Sequence, residues 1–185
     1  SVLSATWTES DSWQNVRTRT FAYGLQEPMG LALSEGQLYI AQKQELTRLV
    51  DNTGQFNAVN EYWTVCSHWP YSGNFGEYAS GLISKDGALY TSLSMPLEIT
   101  GRTLQPQQKG RGTVIRVDPE KGEYETAASG LRGPCGLGIG VDGELFATDV
   151  QGDWVPSGKL VHVKQGRFFG ARTTPAGPFE DQPVT

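Results

Sequence analysis

Three stretches of the chain repeat one pattern of apolar and polar positions. Each opens with Gly-Leu, alternates between apolar and small or polar residues, turns at Glu-Gly or Asp-Gly, and resumes with leucine and an aromatic residue. The stretches are 30–39, 81–90 and 136–146. Alternation with a period of two is typical of half-buried strands, and a glycine after an acidic residue supplies the positive φ of a tight turn. Each stretch therefore predicts a β-hairpin.

A third strand is predicted after each hairpin, followed by turn-forming residues that reverse the chain toward a fourth, outer strand. The predicted third strands are 46–50, 113–117 and 159–163, and the outer strands are 62–65 and 124–127. An outer strand of an earlier unit is predicted over 16–24, because the segment 24–28 that ends it resembles 130–134. The repeating unit is thus a four-stranded antiparallel meander.

The units recur about every 50 residues, which is close to the length of a propeller blade. We therefore predict an all-β fold: a partial β-propeller of about three to four four-stranded antiparallel blades in one incomplete domain. The predicted divisions are the end of one blade over 1–24, a blade over 25–74, a blade over 75–130, and most of a blade with a Pro-rich loop over 131–185. Because four to eight blades close a ring, the remaining blades are expected from flanking sequence or from another chain.

Composition and charge narrow the class of protein. The chain has 23 glycines and 10 prolines, too many for long helices, and its 37% hydrophobic content is too high for a disordered chain. Its formal net charge of −5 comes without a basic run, which argues against nucleic acid or an anionic membrane surface as a partner. No apolar run approaches the roughly 18 to 20 residues of a membrane span, so none is predicted.

The two cysteines are Cys66 and Cys135. They fit either two buried thiols or one disulfide, and two cysteines alone do not make a disulfide framework, so buried thiols are favoured. No Cys-x-x-Cys or His/Cys metal spacing occurs. Neither structural zinc nor covalently attached haem is predicted.

The ends of the predicted hairpins gather distant polar residues. Positions just before a first strand and just after a second strand lie at the same end of a hairpin, because the two strands are antiparallel. We therefore expect these positions to face one mouth of a central channel, where propeller ligands bind. They are Gln26, Glu27, Gln42, Glu77, Tyr78, Ser94, Arg132, Asp149, Gln151, Gly152 and Asp153.

Several of these residues are candidates for chemistry. Arg132 is a fixed cation suited to clamp a carboxylate or polarise a substrate oxygen, with an ion pair to Asp149 or Glu77 as the alternative. Glu77 and Asp149 are each a candidate base or metal ligand, or else a turn cap or salt-bridge partner. Asp153, beside Trp154, either presents loop carbonyls to calcium or forms an ordinary turn.

The segment from Trp63 to Phe75 is rich in aromatic residues. Its rings either stack on the face of a sugar or fill the interface between two blades. The candidate substrate-binding residues, from this loop and from the mouth, are Trp69, Tyr71, Trp154 and Gln42. His68 lies in the same loop and is open to either role, whereas His162 falls within a predicted strand and is interpreted as structural.

These residues resemble the soluble quinoprotein (PQQ-dependent) sugar dehydrogenases and, more closely, a large bacterial family of membrane-bound dehydrogenase-like propellers. The resemblance covers nearly the whole chain. Its most specific stretches are Gly24-Leu25-Gln26-Glu27-Pro28-Met29-Gly30-Leu31, Leu38-Tyr39-Ile40-Ala41-Gln42, Glu77-Tyr78-Ala79-Ser80-Gly81-Leu82, Gly130-Leu131-Arg132-Gly133-Pro134, Thr148-Asp149-Val150-Gln151-Gly152-Asp153-Trp154 and Gly166-Arg167-Phe168-Phe169-Gly170.

The resemblance implies a six-bladed propeller, so that about half of the ring lies outside these residues. It implies that Arg132 lies beside PQQ and that loop carbonyls of Gly152 and Asp153 hold calcium. Tyr78 stands where these enzymes have a catalytic histidine, and a phenol is a poor base at neutral pH. The resemblance also implies a periplasmic or extracellular location.

Three functions follow from these observations. The first is a sugar or polyol dehydrogenase-like propeller that uses PQQ and calcium, with Arg132, Glu77 and Tyr78 as its catalytic residues. The second is a non-catalytic propeller that binds carbohydrate or protein through the aromatic loop. The third is a calcium-dependent, lactonase-like hydrolase in which Glu27, Glu77 and Asp149 converge on the metal.

Overall fold

A computed structural model describes residues 1–7, 16–96, 106–150, 157–172 and 177–185. All regular structure in these residues is β-strand, as the alternating pattern predicts. No helix of a length and apolarity sufficient to cross a membrane is found among them.

The strands form four sheets. The first sheet pairs β1 (Val2–Thr6) with β2 (Arg17–Ala22), and the second is the meander β3 (Gly30–Ser34), β4 (Gln37–Ala41), β5 (Leu46–Val50) and β6 (Glu61–Cys66). The third contains β7 (Ala79–Lys85), β8 (Ala88–Leu93), β9 (Thr113–Asp118) and β10 (Glu123–Ser129), joined by β14 (Arg167–Phe168). The fourth consists of β11 (Gly133–Ile139), β12 (Leu145–Val150) and β13 (Gly158–His162). The three predicted hairpins and the strands that follow them are confirmed.

The hairpin turns use the residues that the pattern indicated. Glu35 and Gly36 both have positive φ, 49° and 75°, and Asp86 and Gly87 repeat this geometry at 51° and 74°. Two consecutive positive φ values define the turn that matches the twist of paired strands. An acidic residue tolerates the first position and glycine the second.

The innermost strands of adjacent sheets lie side by side. Met29 and Ser80 form a parallel bridge, and the amide of Gly81 donates to the carbonyl of Met29 at 3.0 Å. A Cβ atom on Gly30 would lie 2.8 Å from the carbonyl carbon of Gly81, closer than atoms can pack. Gly30 is therefore required where two backbones meet, and Gly81 lies in a similar contact, because a Cβ there would be 3.1 Å from the amide nitrogen of Leu137. The chain forms a partial β-propeller, with its innermost strands together and its sheets stacked face to face.

Alternate side chains of each sheet enter two different cores. On β4, Tyr39 and Ala41 enter the cluster shared with the sheet of β7–β10, whereas Ile40 enters the cluster shared with the sheet of β1–β2. A third cluster, including Val114 and Ala147, lies between the sheets of β7–β10 and β11–β13. Each fully buried aliphatic side chain contributes about 1.5–3 kcal/mol by leaving water, so the stacking of sheets stabilises the fold.

The segment after β13 departs from the predicted meander. The sequence predicts that 164–166 reverse the chain toward an outer strand, but β14 instead pairs in parallel with β10 of the neighbouring sheet. Phe168 is fully buried there, against Gly130, which has no Cβ to block the ring. Burial of this ring on the neighbouring sheet explains the difference. The β7–β10 sheet therefore has a fifth strand.

Both cysteines are free thiols. Cys66 is buried in the core between two sheets, as expected, and burial raises the pKa of its thiol. Cys135 is exposed, so the expectation of two buried thiols is wrong for this residue. It lies on an innermost strand next to a register shift, with its sulfur 3.5 Å from Thr148 Oγ1.

Candidate functional site

The beginnings of β3, β7 and β11 define one end of the sheets, called the mouth below. The register pairs Gly30 with Ala41, and it pairs Ala79 with Leu93. The start of an innermost strand therefore lies beside the end of its partner. This is the gathering that the repeat predicts.

Tyr78 and Arg132 lie on either side of the same two residues at the mouth. The amide of Tyr78 donates to Ser94 Oγ at 2.9 Å, and the amide of Met95 donates to the carbonyl of Arg132 at 2.9 Å. Consecutive Cα atoms are only about 3.8 Å apart, so the main chains of Tyr78 and Arg132 are close. The structure brings these two candidate residues together.

Asp149 fixes the main chain of Arg132 through hydrogen bonds. Its buried Oδ1 accepts from the amides of Arg132 and Gly133 at 3.0 and 2.8 Å. Lys159 Nζ lies 3.6 Å from Oδ2 and also donates to the carbonyl of Phe169 at 2.8 Å. Asp149 thus acts as a main-chain anchor and salt-bridge partner. Of its two predicted alternatives, the structure shows the structural one.

Arg111 closes the loop over 70–78, which overlaps the aromatic segment 63–75. The sequence analysis did not single out this residue. It is 2% exposed and donates to the carbonyls of Ser94, Pro70 and Tyr78 at 2.8, 3.2 and 2.7 Å. Pro70 and Tyr78 are the two ends of one loop, which a single guanidinium therefore closes. Burial lowers the pKa of Arg111 to about 10, against the opposing field of Glu77. The only sequence signal was an arginine between two glycines, 110 and 112.

Glu77 lies inside this loop rather than on the surface of the mouth. Its side chain is 0% exposed, and its oxygens accept from the amide of Ser72 at 2.9 Å and the hydroxyl of Ser72 at 2.8 Å. Buried Asn74 donates to the same hydroxyl at 2.7 Å. The expectation that Glu77 faces a ligand at the mouth is wrong for this structure, because its carboxylate satisfies loop groups that would otherwise be unpaired.

A second charged pair lies closer to solvent. Lys43 Nζ is 2.8 Å from Glu27 Oε2, with the lysine side chain 10% exposed and that of the glutamate 48% exposed. The ammonium also lies 5.6 Å from the centre of the Tyr71 ring and 5.4 Å from that of Tyr78. Burial lowers the pKa of Lys43, but hydrogen bonding and attraction to Glu27 outweigh it, and the net pKa is raised. Lys43 is therefore a stable cation between two rings.

Phe75 is displayed on the outside of the same loop. Its side chain is 70% exposed, and its ring meets Tyr78 edge to face with centroids 6.4 Å apart. Gly73 and Gly76 flank it with φ of 86° and 82°. These left-handed glycines turn the chain so that Asn74 is buried while Phe75 projects.

Two candidate substrate-binding residues are used internally. Trp69 is 4% exposed, belongs to the core between two sheets, and donates its indole N–H to the carbonyl of Lys43 at 3.1 Å. Gln42 is buried and donates to Glu45 and Thr47 while accepting from the amide of Gln26. The expectation that these two side chains contact a ligand is corrected: Trp69 fills the interface, and Gln42 joins strand ends.

Four of the residues singled out in the sequence lie outside the described residues: Gln151, Gly152, Asp153 and Trp154. Among the residues that the structure does describe, no group of three His, Cys, Asp or Glu side chains is arranged to hold a metal ion. Glu27 pairs with Lys43, Glu77 with Ser72, and Asp149 with main-chain amides. The three carboxylates of the lactonase-like alternative therefore have separate structural partners and do not fit a shared calcium ion.

The histidines lie elsewhere. His162 ends β13, with its Nε2 2.7 Å from Glu144 Oε2 and its ring stacked on Phe146. Because β13 begins at the mouth and runs away from it, His162 lies at the opposite end of its sheet. His68 is exposed in the segment after β6.

Comparisons with known proteins support the fold. No protein-family model matches the chain, and no curated protein is similar to it in sequence. A Trichoderma reesei protein of carbohydrate-active enzyme family AA12 aligns with a TM-score of 0.70 at 15% identity, over 91% of this chain and 49% of that one. A calcium structure of the same fungal protein gives 0.68 at 15% identity, over 98% and 50%. The chain thus spans about half the length of these matches.

Two bacterial structures extend this comparison. A gluconolactonase from Xanthomonas campestris aligns with a TM-score of 0.50 at 19% identity, over 79% of this chain and 40% of that one. A PQQ-bound aldose sugar dehydrogenase from Streptomyces coelicolor aligns with a TM-score of 0.39 at 19% identity, over 82% of this chain and 64% of that one. Such identities establish the fold alone. The structural neighbours of this partial propeller include sugar dehydrogenases and gluconolactonases.

Proposed function

We propose that the chain is part of a sugar or polyol dehydrogenase-like propeller, and that Arg132 and Lys159 bind the carboxylates of PQQ at its mouth. The observation that carries the proposal is the pairing of both residues with one buried carboxylate. Asp149 holds the main chain of Arg132 at 3.0 Å and lies 3.6 Å from Lys159 Nζ. The ammonium of Lys159 and the main chain of Arg132 therefore lie next to each other, beside one buried acid.

An arginine and a lysine at one place fit the acidic groups of PQQ. The quinone carries several carboxylates, and a guanidinium matches a carboxylate in geometry as well as in charge. A partly buried setting strengthens this attraction relative to water. When bound, PQQ supplies a two-electron acceptor. Calcium would be held by carbonyls of Gly152 and Asp153, and this part stays a prediction because both residues lie outside the described part of the chain.

The chain's own residues would position the sugar and stabilise charge. Arg132 would stabilise negative charge that develops beside the quinone. Tyr78 lies next to Arg132 through Ser94 and Met95. Its phenol O–H would donate a hydrogen bond to a sugar hydroxyl and leave proton abstraction to another group.

Quinone binding by the 185-residue chain tests the proposal directly. Calorimetric titration with PQQ and calcium should show saturable binding, and Arg132→Gln should weaken it about tenfold or more, as expected for a lost charged hydrogen bond. Arg116→Gln is the matched control, because Arg116 pairs at 3.6 Å with Glu125 on β10, well away from the mouth. Dye reduction with a panel of sugars measures turnover. Absence of PQQ binding, or equal loss in the control, would contradict the proposal.

A second candidate is a non-catalytic carbohydrate-binding propeller. The absence of a histidine at the mouth of the described residues favours this function. By resemblance, the dehydrogenases have a histidine base where this chain has Tyr78, and His162 lies at the far end of its sheet. In this case a sugar would bind without PQQ and without turnover. Sugar titration in the absence of the quinone, followed by dye reduction in its presence, separates the two functions.

A further inference from the structure

We infer that Tyr71, Phe75 and Tyr78, with the Glu27–Lys43 ion pair, form a binding subsite for a neutral pyranose sugar. The inference deepens the proposed function, on which its choice of a sugar rests. It concerns the loop over 70–78 and its contact with the sheet of β3–β6. Neither the chemistry at Arg132 nor calcium enters the argument.

The loop has an unusually polar interior. Ser72, Asn74 and Glu77 hydrogen-bond to one another below the surface, with Asn74 1% and Glu77 0% exposed. Arg111 then ties both ends of the loop to one guanidinium. A loop whose buried polar groups are this well satisfied is held in one conformation. Its outer surface is therefore preorganised.

That outer surface consists of aromatic rings. Phe75 is 70% exposed and stands edge to face with half-buried Tyr78, while Tyr71 faces the Lys43 ammonium at 5.6 Å. An exposed phenylalanine adds little to the stability of the fold, because its ring is not buried in the core and one ring face stays in water. The apolar C–H face of a pyranose ring covers such a surface well.

The polar part of the subsite carries no net charge. Glu27 and Lys43 neutralise each other at 2.8 Å, which disfavours a charged ligand and favours one with many hydroxyl groups. The half-exposed carboxylate of Glu27 is the group that can reach a ligand, since Lys43 is nearly covered. Glu27 also has a φ of 45°, and its neighbour Gln26 is fixed by accepting from the amide of Lys43 at 3.1 Å. Its position is thus set by the fold.

Saturation-transfer NMR and calorimetry on the 185-residue chain, without PQQ, test the inference. The probes are glucose, mannose, xylose and cellobiose. We expect transfer to the C–H protons of one sugar face, and Phe75→Ala should lower the affinity about tenfold, the effect of losing one aromatic contact. Glu27→Gln should also lower it. Phe56→Ala is the matched control, since Phe56 is also an exposed loop phenylalanine but lies in the turn between β5 and β6.

Phe75→Leu guards against a folding artefact, because it keeps an apolar side chain and removes only the ring. It should fold, as circular dichroism can show, and lose affinity as Phe75→Ala does. Binding by none of the four probes, or equal loss in Phe56→Ala, would overturn the inference. Since this assay contains no quinone, its failure leaves PQQ binding through Arg132 standing, and failure of PQQ binding leaves this subsite standing.

Discussion

Asp149 positions Arg132 through its main chain: the amide of Arg132 lies 3.0 and 3.2 Å from the two carboxylate oxygens of Asp149. The guanidinium is therefore not the group that fixes the position of Arg132 relative to this carboxylate. A residue held in this way keeps its place whether or not an anion is bound. The buried carboxylate of Asp149 therefore sets the main-chain position from which the Arg132 side chain extends.

Asp149→Asn should destabilise the protein. One amide oxygen can still accept a hydrogen bond, but the neighbouring NH₂ group would face main-chain N–H groups, and Lys159 would lose its carboxylate partner. Loss of hydrogen bonds to a buried charged group should lower the free energy of unfolding by about 2–3 kcal/mol. Urea denaturation measures this value. The exposed Asp181→Asn serves as control, and an equal effect there would contradict the anchoring role.

Gly30→Ala should destabilise the protein through overpacking. The new Cβ would lie 2.8 Å from the Gly81 backbone, which cannot yield like a flexible side chain. The expected loss is about 1–3 kcal/mol in urea denaturation. Gly138→Ala on β11 is the matched control, because a Cβ there meets nothing within 4 Å. Equal stability of the two variants would mean that the innermost strands are not in close contact.

The two thiols should differ in reactivity. Cys135 is exposed, whereas Cys66 is buried and burial raises its pKa, so that less thiolate is present. With a thiol-reactive dye, one group per native chain should react quickly and the second only after denaturation. Cys135→Ser should abolish the fast phase. Fast reaction of both thiols, or a disulfide found by mass spectrometry, would contradict the structure.

The turn after β5 should lose stability in acid. Hydrogen bonds from the Thr53 hydroxyl and from amides of the turn lower the pKa of Asp51. Its ionised form is thus favoured by folding, and its contribution is present above the ordinary pKa of 3.8 and lost as pH falls through the lower native value. The stability difference between the protein and Asp51→Ala should therefore shrink as the pH falls from about 5 to about 2. A constant difference over this range would contradict it.

Arg111 and Glu77 should be thermodynamically coupled. Replacing Arg111 by Met leaves the buried Glu77 carboxylate without its nearby cation and removes one donor from each of three carbonyls. The expected loss is about 3–5 kcal/mol. In Glu77→Gln/Arg111→Met the charge is absent from both sides, so the double variant should lose less than the sum of the single losses. Additive losses would show that the two groups do not interact.

The fold was readable because its determinants are local. The alternation in 30–39 and 81–90, with the acidic-Gly turns, predicts strands and register from neighbouring residues alone, and the structure confirms both hairpins. The position of β14 was not readable, since it depends on Phe168 reaching a distant sheet. The division of the chain into blades at 24, 74 and 130 stays a prediction, as does placement outside the cytoplasm.

The site was readable only in outline. The ends of the hairpins predict which residues gather at the mouth. They do not predict which of these side chains are buried and hydrogen-bonded to main-chain groups. Glu77 and Gln42 are buried because strand ends and loops have main-chain groups that need partners. Arg111 gave no sequence signal of its role, because its carbonyl partners at 70, 78 and 94 come together only in three dimensions.

The contact between Gly30 and Gly81 also has an evolutionary consequence. Where two backbones touch without side chains between them, the spacing at the hub is a fixed dimension that no substitution can shrink. Relatives can thus exchange every loop residue around the opening while its diameter stays constant. New specificities in such a scaffold would arise from changes in the loops around the opening, while the contact between the innermost strands stays the same.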